Sequence, residues 1–285
     1  MARSAYENYS RGKSGLMFAI CVSSTVLIIT VLALVTGYLV SVGYKSINWS
    51  FFVNDPIDAP GLAYGMRAGI VGTLILVGLA SVVGIPVGTL TGIYLAEYSG
   101  NSRLSGPVRF IADVLAGVPS IVVGILGYIL LARNHYNGWA GSLALAFIMI
   151  PLIARTTEEM LLLVPRSYRE ASVALGATKA RTILKVVLPA AAGSLITGIM
   201  LAIARVAGET APLLFTALNY DHLTFDLSKQ FPSLTVKIYD DAVVVDPKHN
   251  GAARAGILVL LLLIFTLNLL VRFTAKAVTR NRTAK

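Results

Sequence analysis

Residues 16–43 read LMFAICVSSTVLIITVLALVTGYLVSVG, 28 positions without a charge. A helix needs about 20 mostly apolar residues to cross roughly 30 Å of hydrocarbon, so this stretch alone takes the chain out of the water-soluble class. It is too long for the apolar region of a cleaved leader and is not followed by a small-residue cleavage site and soluble sequence, so it reads as a retained first span. Working outward, five more stretches have the required length and apolarity, at 67–95, 108–132, 140–162, 187–218 and 252–274. Two longer polar connections, 44–66 and 219–251, separate them; Val243-Val244-Val245 offers the second an apolar contact with the bundle. The composition agrees: 56% of the 285 residues are hydrophobic and 13% charged, against about 25% charged in soluble domains, and the mean hydropathy is +0.75. The expected fold class is an all-α integral membrane protein with six transmembrane helices over 16–274, a cytoplasmic segment 1–15 and a basic cytoplasmic tail 275–285. Cys21 is the single cysteine, so no disulfide forms within the chain.

Orientation follows from where Lys and Arg fall. With both termini and alternate loops on one side, that side holds 15 cations against five acids, and the other holds seven of each. Arg155, Arg205, Asp113 and Glu209 remain inside the spans. The termini are therefore expected in the cytoplasm. The net charge of +10 reads as a topology signal and not as a nucleic-acid surface.

Several features point away from catalysis. Gly12-Lys13-Ser14 resembles the end of a phosphate-binding loop, but that loop requires a Gly five residues earlier, where Glu7 stands. His135, His222 and His249 lie singly in polar connections without Cys or Glu at ligand spacing, so no metal site is expected. Ser, His and acidic residues do not converge in any span. The chain is expected to be a non-enzyme that binds no cofactor itself. Gly84, Gly88 and Gly92 form a small-residue ridge suited to close helix approach, and Pro86, Pro119, Pro151 and Pro212 are expected to kink their spans.

The connection between the fourth and fifth spans, 163–189, carries the sharpest pattern. Ser167-Tyr168-Arg169-Glu170 has the form of a capping box, which predicts a helix starting there. Tyr168, Ala171 and Leu175 then make a short apolar stripe, Gly176 ends the helix, and Thr178 is placed to cap a second one leading into the fifth span. So short a helix is marginal alone and needs a surface to cover its stripe. Glu170-Ala171-Ser172, three residues, Gly176, nine residues and Val186-Val187-Leu188-Pro189 resemble the EAA loop of ABC importer permeases, with Ser172 and Val186 as conservative departures. The resemblance implies the type I ABC importer permease fold. In it this loop is a cytoplasmic coupling helix that sits in a cleft of an ATPase subunit, with Glu170, Ala171, Gly176, Tyr168 and Leu175 as the coupling residues.

Three further segments resemble the phosphate-specific permeases of that family: Ala116-Gly117-Val118-Pro119-Ser120 through Gly124, Arg155-Thr156-Thr157-Glu158, and the run from Ala202 to Ala217. The resemblance covers nearly the whole chain and is densest over 110–217. It implies half of a phosphate-conducting pore in a bacterial inner membrane, paired with the related permease PstC, with two copies of the ATPase PstB, which uses ATP and Mg, and with the phosphate-binding protein PstS. It also implies that Arg205, Glu209 and Arg155 serve phosphate passage. The residues themselves point the same way. An ionisable group deep in a span is a functional candidate, and a guanidinium stays charged and grips phosphate oxygens two at a time. Arg205 and Glu209 fall one helical turn apart, and Arg155 about 12 Å from the end of its span at 1.5 Å per residue.

Other readings stay open at this point. Arg205 with Glu209, and Arg155 with Glu159, have the spacing of structural ion pairs, and Asp113 is expected to serve Arg109. A permease for molybdate, tungstate or sulfate shares the same loop. A self-sufficient secondary transporter is disfavoured by the lack of an internal repeat, and a membrane scaffold leaves Arg155 and Arg205 unexplained.

Overall fold

The computed structural model describes residues 2–57, 64–101, 103–133 and 135–283; the side chains of 2–12, 101 and 274–283 lie outside the description, as do residues 284–285 of the basic tail predicted at 275–285. Helices make up the regular structure, with no strand among the described residues. In chain order they are α1 (Ala2–Gly43), α2 (Trp49–Val53), α3 (Arg67–Ile93), α4 (Ser105–Gly117), α5 (Ser120–Gly127), α6 (Gly138–Leu162), α7 (Arg166–Ala174), α8 (Lys179–Thr182), α9 (Leu188–Ala207), α10 (Ala211–Thr216), α11 (Leu234–Val243) and α12 (Pro247–Thr283). Five continuous helical stretches are long and apolar enough to span a membrane: 13–46, 67–98, 138–162, 179–207 and 247–273. A sixth is a bent pair.

The centre of the bundle is the seam between α3 and α6. Gly84, Gly88 and Gly92 recur every four residues along α3, and each leaves room for a residue of α6. A methyl group added at Gly84 would stand 2.9 Å from the Met149 sulfur, and one at Gly92 2.6 Å from the Ala154 carbonyl. In lipid, where apolar surface gains nothing by leaving its surroundings, this closeness lets dispersion and backbone contacts hold the helices together. Leu76, Leu145, Met149 and Ile153 fill the seam, and Val206 of α9 and Leu213 of α10 close it from the other side. α1 differs: its apolar stretch is exposed along its length, and it meets α12 near its end, where Gly43 lies against the Arg254 carbonyl.

Two predicted spans are not straight. The stretch 108–132 folds as α4 and a second helix from Ser120 to Ala132, turned by 103° at the break. Pro119 explains the break: it has no N–H to continue α4, and it forces Val118 into an extended conformation (ψ 131°). The stretch 187–218 is likewise interrupted. α9 ends at Ala207, Gly208 to Thr210 are not helical, and α10 restarts at Ala211 with Pro212 in its first turn, where a missing N–H costs nothing. Pro86 and Pro151, by contrast, are carried inside α3 and α6 without ending them.

The polar connections gather at one end of the bundle. α11 is docked there, with Leu234, Val236, Lys237 and Asp241 buried, and Phe231 just before it is fully buried. The Lys237 ammonium lies 2.9 Å from Asp221 and 3.4 Å from Asp241. Asp241 also accepts from the Tyr64 hydroxyl at 2.7 Å and lies 3.0 Å from His249 Nδ1. Neighbouring Asp240 is pushed above the usual carboxylate range, by burial first and then by the charges of Asp241 and Asp221, against the pull of Lys237. The contact expected from Val243-Val244-Val245 does not form: all three are exposed, Val245 completely. Val243 closes α11, and the backbone is extended at Val244, just past the helix end.

Candidate functional site: intramembrane ion pairs and the exposed loop 163–189

The break after α9 decides the geometry of Arg205 and Glu209. Arg205 lies in the last turn of α9, where the negative end of the helix dipole favours a cation. Glu209 does not continue the helix, as the span reading required, but sits in the non-helical turn, its N–H donating to the Val206 carbonyl at 3.2 Å. Its own carbonyl accepts from the Thr235 hydroxyl at 3.1 Å, which ties the break to α11. Arg205 Nε is 3.7 Å from Glu209 Oε1, an ion pair too long to be a hydrogen bond. Among the described residues the Arg205 guanidinium makes no hydrogen bond, and its side chain is 51% exposed.

Arg155 is placed differently. Its Nε donates to Glu159 at 2.9 Å, one turn along α6, and its Nη1 pairs closely with Asp113 of α4. The expectation that Asp113 serves Arg109 is therefore corrected: Arg109 reaches Glu158 on α6 instead. The bend at Pro119 lays α4 alongside α6, so that two pairs, Arg109–Glu158 and Arg155–Asp113, cross between the helices. No residue of α4 is fully buried, and these two pairs tie it to α6. Nothing in the structure places Arg155 beside Arg205.

The 163–189 loop forms the predicted helix, α7, with one change at its start. Pro165 takes the N-cap position and its carbonyl accepts from the Tyr168 N–H, so α7 begins at Arg166 and Ser167 lies inside the first turn without capping it. The far end is as expected. Gly176 has φ +80°, its N–H donates to the Val173 carbonyl at 2.8 Å, and the Ala177 N–H reaches the Ser172 carbonyl at 3.1 Å. That is a Schellman ending, which calls for Gly at the left-handed position. Thr178 Oγ1 accepts from the Arg181 N–H at 3.4 Å, and α8 runs through a π-helical turn, Ile183–Val187, into α9. Tyr168, Ala171 and Leu175 stand exposed, Leu175 at 90%, and Glu170 is exposed beside them. Ser172, the departure from the second Ala of the loop pattern, bonds to the Thr182 hydroxyl at 2.9 Å and so fixes α7 to α8.

Sequence reading missed Glu97 and Arg169. Arg169 of α7 donates through Nε and Nη2 to Glu97, in the π-helical turn Tyr94–Tyr98 that prolongs α3, at 3.0 and 2.6 Å. The only signal was that Glu97, at the end of the second span, and Arg169, in the loop, fall on the same side of the membrane by the charge reading, and 72 residues separate the two.

A broken span carrying an ionisable pair, with an exposed helix between the fourth and fifth spans, fits a membrane permease subunit of the ABC importer type, and the family match carries that class. The family of binding-protein-dependent transport system inner membrane components matches residues 88–280. The phosphate transport system permease protein PstA of Haemophilus influenzae is 38% identical over 82% of this chain and 83% of its own. That of Yersinia pestis is 45% identical over 73% and 71%, and PstA 1 of Mycobacterium tuberculosis (strain H37Rv) is 40% identical over 75% and 71%. Among solved structures, an inward-facing MetNI methionine ABC transporter aligns over 76% of this chain and 94% of its own, with a TM-score of 0.57 at 21% identity. An amino acid ABC transporter aligns at a TM-score of 0.51 and 19% identity over 75% and 92%; both support the fold. The chain belongs to the PstA family of binding-protein-dependent transport permeases.

Proposed function

We propose that this chain forms half of the translocation pore of an ATP-driven inorganic phosphate importer in a bacterial inner membrane, with both termini in the cytoplasm. In this reading its partners are a related permease of the PstC kind, two copies of a PstB ATPase and the binding protein PstS. ATP and Mg belong to the ATPase, and this chain performs no catalysis and holds no metal or cofactor.

The observation that carries the reading is the state of Arg205. A phosphate dianion does not enter hydrocarbon bare and needs a charged fork of donors. Arg205 offers one at a break in a span, where backbone leaves the helix, with its hydrogen-bonding capacity unspent. Glu209, at 3.7 Å, is close enough to balance the charge at rest and loose enough to yield to a dianion. Arg155 is a second station only if phosphate displaces a carboxylate from it. ATP closing the two ATPase subunits moves α7, and the spans behind it reorient to expose the path on alternate sides.

The test is labelled phosphate uptake in phosphate-starved cells carrying wild type or Arg205→Gln at matched membrane abundance. Uptake falling at least tenfold while the ATPase still co-purifies is the expected result. Retained uptake sinks the role of Arg205, and sulfate or molybdate uptake exceeding that of phosphate in wild type sinks the choice of cargo.

A further inference from the structure

Arg169 fastens α7 to both helices of the central seam. Its Nε and Nη2 donate to Glu97 beyond the end of α3, its Nη1 donates to the Val164 carbonyl at 2.7 Å, and its Nη2 also donates to the Leu161 carbonyl at 2.9 Å. Leu161 lies in the last turn of α6 and Val164 two residues past its end, where the helix dipole favours a cation. Glu97 is 7% exposed and Arg169 23%. Beside them runs a cleft of about 410 Å³ whose lining includes Leu162, Arg166 and Glu170. The rest of α7 has no buried residue.

A planar fork satisfied in several directions at once resists both sliding and rotation, which a single ammonium does not. α3 and α6 are themselves locked by the glycine seam. Whatever displaces α7 therefore pulls on α3 through one guanidinium, and on α6 through the same guanidinium and the short connection 163–165. The other ties of α7, Ser172 to Thr182 and the turn at Gly176, lead into α8 and α9 instead.

We infer that the Glu97–Arg169 pair is the strut that carries displacement of α7 into the α3–α6 pair, a positioning role distinct from docking the ATPase. It rests on the importer reading above, in which a partner moves α7. Without the strut, the ATPase still binds the exposed face of α7 and still hydrolyses ATP, while the central helices no longer follow.

The test uses the complete complex, co-purified with its partner permease and ATPase, reconstituted in liposomes and supplied with phosphate-loaded binding protein. Phosphate uptake and ATP hydrolysis are measured in the same vesicles for wild type, Glu97→Gln and Arg169→Lys. Phosphate moved per ATP is expected to fall at least tenfold in both variants, with hydrolysis within about threefold of wild type and the ATPase still co-purifying. An unchanged ratio, a parallel loss of both activities with loss of co-purification, or failure of both variants to accumulate in the membrane overturns the inference. A wild-type complex that moves sulfate or molybdate instead removes the phosphate reading alone, and the ratio is then taken with that anion. One that moves no anion removes the importer reading and the strut with it.

Discussion

Arg155 of α6 reaches across to Asp113 of α4 while its Nε donates to Glu159 on its own helix, so two carboxylates already neutralise one guanidinium. Arg205, with a single carboxylate 3.7 Å away, is the readier of the two for an anion. If Arg155 holds phosphate at any stage, Asp113 competes with the cargo.

That competition has a size. Both side chains of the Arg155–Asp113 pair are more than 40% exposed, and an exposed ion pair is weak, so the competition amounts to a few-fold. Asp113→Asn is therefore expected to lower the KM for phosphate uptake by about two- to fivefold, whereas Arg155→Gln lowers kcat/KM by tenfold or more. Transport kinetics in inverted or reconstituted vesicles decide it. A KM unmoved by Asp113→Asn, together with Arg155→Gln that loses membrane abundance and not transport per molecule, leaves the pair as the fastening of α4 and nothing more.

The α3–α6 seam predicts a sharp contrast between two glycines of the same helix. A methyl group at Gly88 would stand 2.8 Å from the Ile153 Cβ and 2.9 Å from the Ile150 carbonyl, and the latter is backbone that cannot step aside, whereas Gly78 faces open space. Gly88→Val is expected to cost about 1–3 kcal/mol, as overpacking does, and to lower the melting temperature in detergent by several degrees. Gly78→Ala should be neutral or mildly stabilising, since Ala is the better helix former. Equal melting temperatures for the two variants would contradict the packing described.

Legibility of the fold follows the range of the interaction. The glycine ridge and the ending at Gly176 were readable because their spacing lies within a few residues and their physics is local. The cap of α7 misled because Pro165, two residues before Ser167, already supplies the first carbonyl and fixes the entry angle. The bend at Pro119 was anticipated as a kink, but hydropathy carries no angle, so a turn of 103° was out of reach. The ion pairs were the hardest. Arg109–Glu158, Arg155–Asp113 and Arg169–Glu97 join residues 49, 42 and 72 positions apart, and only the packing of α4, α6 and α7 decides which acid meets which Arg. The Arg205–Glu209 pair was visible in the sequence; that a break in the helix separates its members was not.

Gly176 gives a graded test of the coupling role proposed for α7. Its φ of +80° costs an L-residue about 1–2 kcal/mol, so Gly176→Ala should loosen the end of α7 and reduce ATPase co-purification severalfold. Gly176→Asn, which tolerates the left-handed region better, should retain more. Gly176→Pro fixes φ near −65° and removes the N–H that donates to the Val173 carbonyl, and should abolish co-purification. The order Asn, Ala, Pro in a pull-down is the result to look for; a flat series would mean that the ATPase does not read the shape of α7.

Asp55 makes the connection end of the bundle acid-sensitive. Burial works to raise its carboxyl, but hydrogen bonds from Arg67 and from the Leu223 N–H, with the charges of Arg67 and His222, hold it below the usual carboxylate range. The contacts are close: Arg67 Nε and Nη2 donate at 3.0 and 3.1 Å and the Leu223 N–H at 3.2 Å. Through them the 44–66 connection, the start of α3 and the 219–251 connection meet at one carboxylate. Because its folded pKa is depressed, the stability it contributes is fully present above the ordinary Asp value, about 3.9, and is lost as pH falls through the lower folded value. Removing the charge removes both the contribution and its pH dependence. Asp55→Asn should therefore be less stable than wild type at pH 7, by about 1 kcal/mol or less because Arg67 is 40% exposed and water screens the pair, with the gap closing below about pH 4. Protease cleavage within 44–66 and 219–251, followed from pH 7 to 3 with an acid-tolerant protease, reads this directly. Wild type and Asp55→Asn that lose resistance in parallel over the whole range would show that the depressed carboxylate does not hold this end together.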